Sequence, residues 1–200
     1  GQIRLCAKSA RRKDMMGIID WRMQQCLNKN VKFNFNIIAE AQDVMNENPD
    51  TIIIATGGMP NLELFETKKN LENVFTSWDI ISGEIKLAEN ILIYDEAGDH
   101  TAMQSAEIAV EKGSRVEFMT PDRLISPEIM GMNLTPYLKN LQNKKITYSI
   151  AKRLKDVSIK GNKLNAIIGS DYDENFKPKI KVDLLLRLRK AINIFSGQKW

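Results

Sequence analysis

The stretch from Asn90 to Met119, NILIYDEAGDHTAMQSAEIAVEKGSRVEFM, constrains the fold more than any other part of the chain. Asn90 to Tyr94 is a short apolar run closed by turn-forming residues. Thr101 to Lys112 carries its apolar residues at helical spacing, and Arg115 to Met119 is a second short run beyond Gly113. Strand, helix and strand within about 30 residues form a crossover unit, which joins parallel strands. A parallel sheet is covered on both faces, so the class is α/β.

The rest of the chain supports that reading. Met15 to Asn28 reads as a helix with Met15, Ile19, Met23, Cys26 and Leu27 on one stripe. In VKFNFNI, Val31, Phe33, Phe35 and Ile37 alternate with Lys32, Asn34 and Asn36, the period of a half-buried strand. A short helix follows over Ala41 to Met45. Thr51 to Ala55 is a continuous apolar run ending in Thr56-Gly57-Gly58, expected as a central parallel strand under helices. Pro60 to Glu84, with Trp78 and Asp79 near its end, reads as a crossover. A helix at Leu134 to Gln142 and a segment at Ile146 to Ser149 come next. Arg153 to Lys160 and Lys163 to Gly169 meet at Gly161-Asn162, the signature of an antiparallel hairpin. The expectation is a three-layer Rossmann-like FAD/NAD(P)-binding fold. A doubly wound nucleotide domain starts with strand, glycine turn and helix, whereas this sequence opens in loop and helix, so the fold is expected to be incomplete at its N-terminus.

Several function classes are disfavoured. The apolar runs fall far short of the roughly 20 residues of a membrane helix, and the start does not read as a cleavable signal, which points to a cytoplasmic protein. Its 29 Lys and Arg are dispersed among 25 acids, so nucleic acid is not the expected partner. Cys6 and Cys26 have no neighbouring Cys or His, and His100 is the single histidine. Buried free thiols are expected, with no metal site and no Cys–His nucleophile.

Asp50-Thr-Ile-Ile-Ile-Ala-Thr-Gly57 resembles the ATG strand of flavoproteins with two dinucleotide-binding domains. Small residues at a strand's carboxyl end let backbone approach a cofactor, although an ordinary strand ending in a glycine turn has the same spacing. GQIRLCAKSARRKDMMGIIDW, the ATGG strand and TSWDII together resemble the carboxyl-terminal part of the family containing trimethylamine dehydrogenase, 2,4-dienoyl-CoA reductase and related N-demethylases. GSDYDENFKPKIKVD and MGMNLTPYLK resemble the second nucleotide-like domain of members that oxidise dimethylglycine or N-methylproline. The resemblance spans roughly Gly1 to Asp183.

It implies FAD or ADP bound partly by this chain, with FMN and a 4Fe-4S cluster on an N-terminal barrel domain that would be its partner. It also implies a homo-oligomer and an electron-transfer flavoprotein as possible acceptor. By the same resemblance residues 1–86 belong to the FAD/ADP domain with its crossover, 87–184 to an inserted NAD(P)-like domain and 185–200 to an atypical basic tail. Gly1 and Gln2 match the end of a GGQ turn, Arg12 a basic position ten residues on, Ala39 the position after the second strand, and Thr56 and Gly57 the ATG turn. A guanidinium suits pyrophosphate because it is permanently charged and forked. Arg12 is otherwise a solvated charge in the ARRKD run, and Trp78 is otherwise core. No catalytic residue is assigned.

The loop Asp95 to His100 is the exception to the nucleotide pattern. Such a loop uses glycines for its turn and for close approach to pyrophosphate, but here Asp95, Ala97 and His100 hold those positions. A carboxylate about 4 Å from a phosphate costs on the order of 1 kcal/mol in water and about 4 at an effective dielectric of 20. The inserted domain is therefore expected to keep the fold without the ligand, its acids capping the helix instead. His100, with no positioned partner in sequence, reads as a surface or capping residue. The leading expectation is a part of a demethylating flavoprotein oxidoreductase, inactive by itself. A 2,4-dienoyl-CoA-reductase-like NAD(P)H enzyme and a non-catalytic interaction module are the alternatives.

Overall fold

The computed structural model describes residues 1–60, 73–188 and 192–193. The N-terminal part holds α1 (Gln2–Cys6), a 3-10 turn (Ala10–Met15), α2 (Met16–Asn28), α3 (Ala41–Asn46) and the two-residue β1 (Gly58–Met59). Then come β2 (Val74–Phe75), α4 (Ser77–Ser82), β3 (Asn90–Asp95), α5 (His100–Glu111), β4 (Arg115–Met119), α6 (Gly131–Leu141) and β5 (Ile146–Ser149). The last strands are β6 (Arg153–Lys160), β7 (Lys163–Gly169), β8 (Lys179–Val182), β9 (Leu184–Leu188) and β10 (Ile192–Asn193).

The centre is a five-stranded parallel sheet in the order β2-β9-β3-β4-β5. Side chains alternate across it. Ile91, Ile93, Val116, Phe118, Leu184 and Leu186 face one core with Ala102, Met103, Ala106 and Ala109 of α5 and Tyr137 and Leu141 of α6. Leu92, Tyr94, Met119 and Leu185 face the other, against Leu154, Val157, Leu164, Ala166, Ile168 and Val182 of the antiparallel meander β6-β7-β8. Both faces are thus covered, which is why the strands read as unbroken apolar runs. Each fully buried large aliphatic side chain contributes about 1.5–3 kcal/mol. The alanines of α5 let that helix lie close to the sheet. The result is the expected three-layer α/β architecture.

Three expectations are corrected. Residues 31–37 and 51–55 are not strands: none of them enters a ladder, and Phe35 and Ile53 are 63% and 86% exposed. A strand forms only where another backbone runs alongside to take its N–H and C=O groups, and no described segment does so here. Their apolar side chains remain outward, with Phe33 and Phe35 stacked on each other at 5.3 Å.

The tail expected from residue 185 is the third correction. Leu184–Leu188 lies between β2 and β3, with Leu184, Leu185, Leu186 and Leu188 at most 3% exposed. The basic residues of LLLRLRK suggest an amphipathic segment, but burial on both faces makes the leucines a central strand. The central sheet therefore crosses the boundaries expected at 86/87 and 184/185, since it includes both Val74–Phe75 and Leu184–Leu188.

Candidate functional site

A cleft of about 640 Å³ opens where α1, α2, α4 and the 55–59 turn converge. Gly1, Gln2, Thr56 and Gly57 all line it, together with Ile19 and Trp78. The Gln2 side-chain amide donates to the Gly58 carbonyl at 3.0 Å, tying the start of α1 to the turn. Gly57 has φ +74°, a conformation that favours glycine, and a Cβ there would meet no atom within 4 Å. Trp78 is half-buried and forms a wall of the cleft. Its neighbour Asp79 is spent on capping α4, accepting from the Thr76 backbone N–H at 2.7 Å and hydroxyl at 2.8 Å.

The other two expected site residues stand apart. Ala39 is exposed and does not line the cleft. Arg12 turns to the start of α5, where a guanidinium N–H donates to His100 Nδ1. Because guanidinium only donates, Nδ1 accepts, and the imidazole is the neutral tautomer with its proton on Nε2. A second N–H of Arg12 reaches Cys6 Sγ at 3.4 Å, and its guanidinium carbon is 5.7 Å from the centre of the Tyr137 ring. Burial first, then the Arg12 charge, hold the His100 pKa below its ordinary 6.5.

Arg11 completes this seam. It lies over Tyr137 at 4.3 Å and pairs with Glu107 at 2.5 Å, while Asn140 donates to the same carboxylate at 3.0 Å. Glu107 has 7% of its side chain exposed, and burial pushes its pKa up. Gln104 adds a hydrogen bond to the Cys6 carbonyl at 3.1 Å. Sequence reasoning passed over Glu107, although a signal was present: it falls on the apolar stripe of α5 with Met103 and Val110, where an acid requires a cation or donor.

The acidic loop is built as a closed structure. Asp95 is 0% exposed, and its Oδ1 accepts the backbone N–H groups of Ala97 at 3.0 Å and Gly98 at 2.9 Å. Its own carboxylate thus occupies amides of the kind a glycine loop offers to phosphate. Desolvation raises its pKa from 3.8 to about 6, against the two N–H bonds and with help from the charges of Asp99 and Asp122. Asp99 caps α5 through the Thr101 N–H at 2.8 Å. Gly98 carries φ +71°, and a Cβ there would sit 3.0 Å from Pro127 Cδ. The Gly98 carbonyl also accepts the Glu128 N–H at 3.0 Å, so Pro127 and Glu128 pack directly on the loop.

No family model matches the chain. Over 172 residues, 86% of this chain, it is 51% identical to a protein of Rhizobium meliloti named probable N-methylproline demethylase, of which it covers 25%. It is 27% identical over 177 residues to N,N-dimethylglycine/sarcosine dehydrogenase of Chromohalobacter salexigens, covering 26% of that protein. The chain therefore spans about a quarter of the length of these curated relatives.

Its fold superposes on 6-hydroxypseudooxynicotine amine oxidase of Pseudomonas geniculata N1 with TM-score 0.81 at 19% identity, covering 98% of this chain and 30% of that one. Histamine dehydrogenase from Rhizobium sp. 4-9 gives 0.76 at 16% identity, again covering 98% and 30%. The fold agreement and the 51% identity point the same way: the chain belongs to the family of trimethylamine dehydrogenase and 2,4-dienoyl-CoA reductase, among its demethylase-like members.

Proposed function

We propose that this chain is the nucleotide-domain part of a flavin-dependent oxidoreductase acting in the oxidative N-demethylation of a small methylated amine or amino acid. The observation that carries the reading is the 51% identity, over 86% of the chain, to a relative named as an N-methylproline demethylase. In this reading the cleft formed by Gly1, Gln2, Thr56 and Gly57 holds part of FAD or ADP. The fit is reasonable: the cleft's volume is that of a small-molecule site, and Gly57 brings bare backbone to its wall.

Gln2 fixes the turn through Gly58, and Trp78 offers an aromatic wall. Arg12 and Ala39 would meet the cofactor after rearrangement of the 3-10 turn and of the 31–39 segment, respectively. A bound flavin would supply the hydride or electron chemistry; these residues would bind and orient it. FMN and a 4Fe-4S cluster enter through the family resemblance, on a barrel domain outside these 200 residues. A homo-oligomeric whole enzyme and an electron-transfer flavoprotein as acceptor belong to the same proposal.

The closed loop favours this reading over a nicotinamide-dependent reductase. The Ala97 and Gly98 amides are already taken by Asp95, and Pro127 packs against Gly98. Among the described residues no helix is long and apolar enough to cross a membrane. The test is to denature the purified full-length protein and assay released flavin and ADP, then to measure oxidation of N-methylproline and dimethylglycine with an artificial acceptor. Release of FAD or ADP together with demethylation is expected. A colourless protein without nucleotide overturns the cofactor reading, and micromolar NADH or NADPH binding overturns the closed-loop reading.

A further inference from the structure

A second cleft, of about 460 Å³, lies at the amino-terminal ends of β3, β4 and β5, the opposite end of the sheet from the acidic loop. Its lining includes Arg115, Lys144, Lys145 and Lys181, against one acid, Glu117. Val116 and Ile146 pair across β4 and β5 and pack into the helix-side core. By the alternation of a strand, Arg115 and Lys145 therefore sit side by side on the other face, followed by Glu117 and Thr147. Two cations adjacent on neighbouring strands repel each other.

Glu117 can offset only one of these four cations. Its carboxylate already accepts the hydroxyls of Thr147 and Ser149. Asp183 nearby is engaged with Asn90 at 2.9 Å and Lys163 at 3.1 Å. Among the described residues, no ion pair involves Arg115, Lys144, Lys145 or Lys181. The meander leaves this part of the sheet face uncovered, and β8 walls it with Ile180 and Val182. Four cations around one committed carboxylate, in a recess with low-dielectric walls, focus positive potential.

We propose that this cleft binds an oligophosphate group, whether of a nucleoside triphosphate or of free polyphosphate, at a site separate from the flavin cleft. Close phosphates match the chemistry: Arg115 offers a planar fork for two oxygens, and the lysines supply compact charge around it. Arg115 begins β4 and Lys145 immediately precedes β5, its parallel partner, while Lys181 of β8 lines the same cleft; cations converging on one recess suit the closely spaced charges of linked phosphoryl groups rather than the dispersed carboxylates of an acidic protein surface.

Titration calorimetry of the intact protein with inorganic tripolyphosphate, with ATP and with an oligoglutamate peptide tests the proposal. Tripolyphosphate is expected to bind in the micromolar range, more weakly as salt rises. The surface variant Arg115→Gln/Lys145→Gln, with unchanged circular dichroism, is expected to lose at least ~10-fold in affinity. Tighter binding of ATP than of tripolyphosphate would identify the nucleoside as the source, and equal binding the free polyanion; either supports the site. Absence of binding below millimolar concentration overturns it. So does equal affinity in parent and variant, or binding of oligoglutamate in place of both phosphates. Flavin retention is unaffected by any of these results, so this proposal and the preceding one fail separately.

Discussion

Replacing Asp95 with Asn should stabilise the protein at neutral pH. The carboxyl is fully buried, its Oδ1 holds the Ala97 and Gly98 amides, and its Oδ2 has no hydrogen-bond partner among the described residues. Its pKa rises on folding from 3.8 to about 6. The folded protein then binds more protons than the unfolded chain between these values, so stability falls as pH rises through the window and stays low above it. The gap of about 2 pH units, at ~1.36 kcal/mol each, amounts to about 3 kcal/mol at pH ~7.

Asn keeps the Oδ1 acceptor and removes the buried charge. It adds one N–H beyond the single O–H of a protonated acid, a cost of about 1 kcal/mol. The net gain is about 2 kcal/mol near pH 7, or roughly 4–8 °C in Tm for a chain of this size. Near pH ~4 the wild-type carboxyl is protonated in the folded state and half protonated in the unfolded, so the advantage disappears. Chemical denaturation of both proteins at the two pH values measures this, and subtraction cancels His100 and the other titrating groups. A variant less stable than the parent near neutrality, or an advantage that persists in acid, would refute the reasoning.

Other expectations follow from the same contacts. His100 is the single histidine of these 200 residues, and its imidazole resonances, assigned by their loss in His100→Gln, can be titrated: its pKa should lie below 6.5 and rise in Arg12→Gln, and an unchanged value would break the proposed contact. Because that pKa is lowered, this group's share of stability is present above 6.5 and is lost as pH falls through the folded value, opposite in sign to Asp95. Gly98→Ala should cost about 1–3 kcal/mol in denaturant melts, from the positive φ and the Pro127 contact. Arg11→Met leaves the Glu107 carboxylate buried with Asn140, and should cost about 1–3 kcal/mol. The double variant Arg11→Met/Glu107→Leu should recover most of that loss, a comparison read from a double-mutant cycle.

What the sequence by itself determined was whatever depends on short-range pattern. The helix of α5, the strands β3 and β4 and the hairpin β6-β7 were all legible. So was the role of Asp99, because a cap two residues from its amide needs no distant partner. The family was legible too, through the resemblance carried by the GQIRLC, ATGG and TSWDII motifs.

Tertiary structure decided everything that needs a partner from far along the chain. VKFNFNI and TIIIA have the pattern of strands, yet no described backbone lies beside them, and ladder hydrogen bonds cannot be read from one segment. LLLRL looked like a basic tail because its arginine masks a run that is buried between two strands distant in sequence. Arg12 carried the right charge for a pyrophosphate, but packing set it against His100, 88 residues away. Periodicity records which face of an element is apolar; only the fold supplies what that face, or that charge, meets.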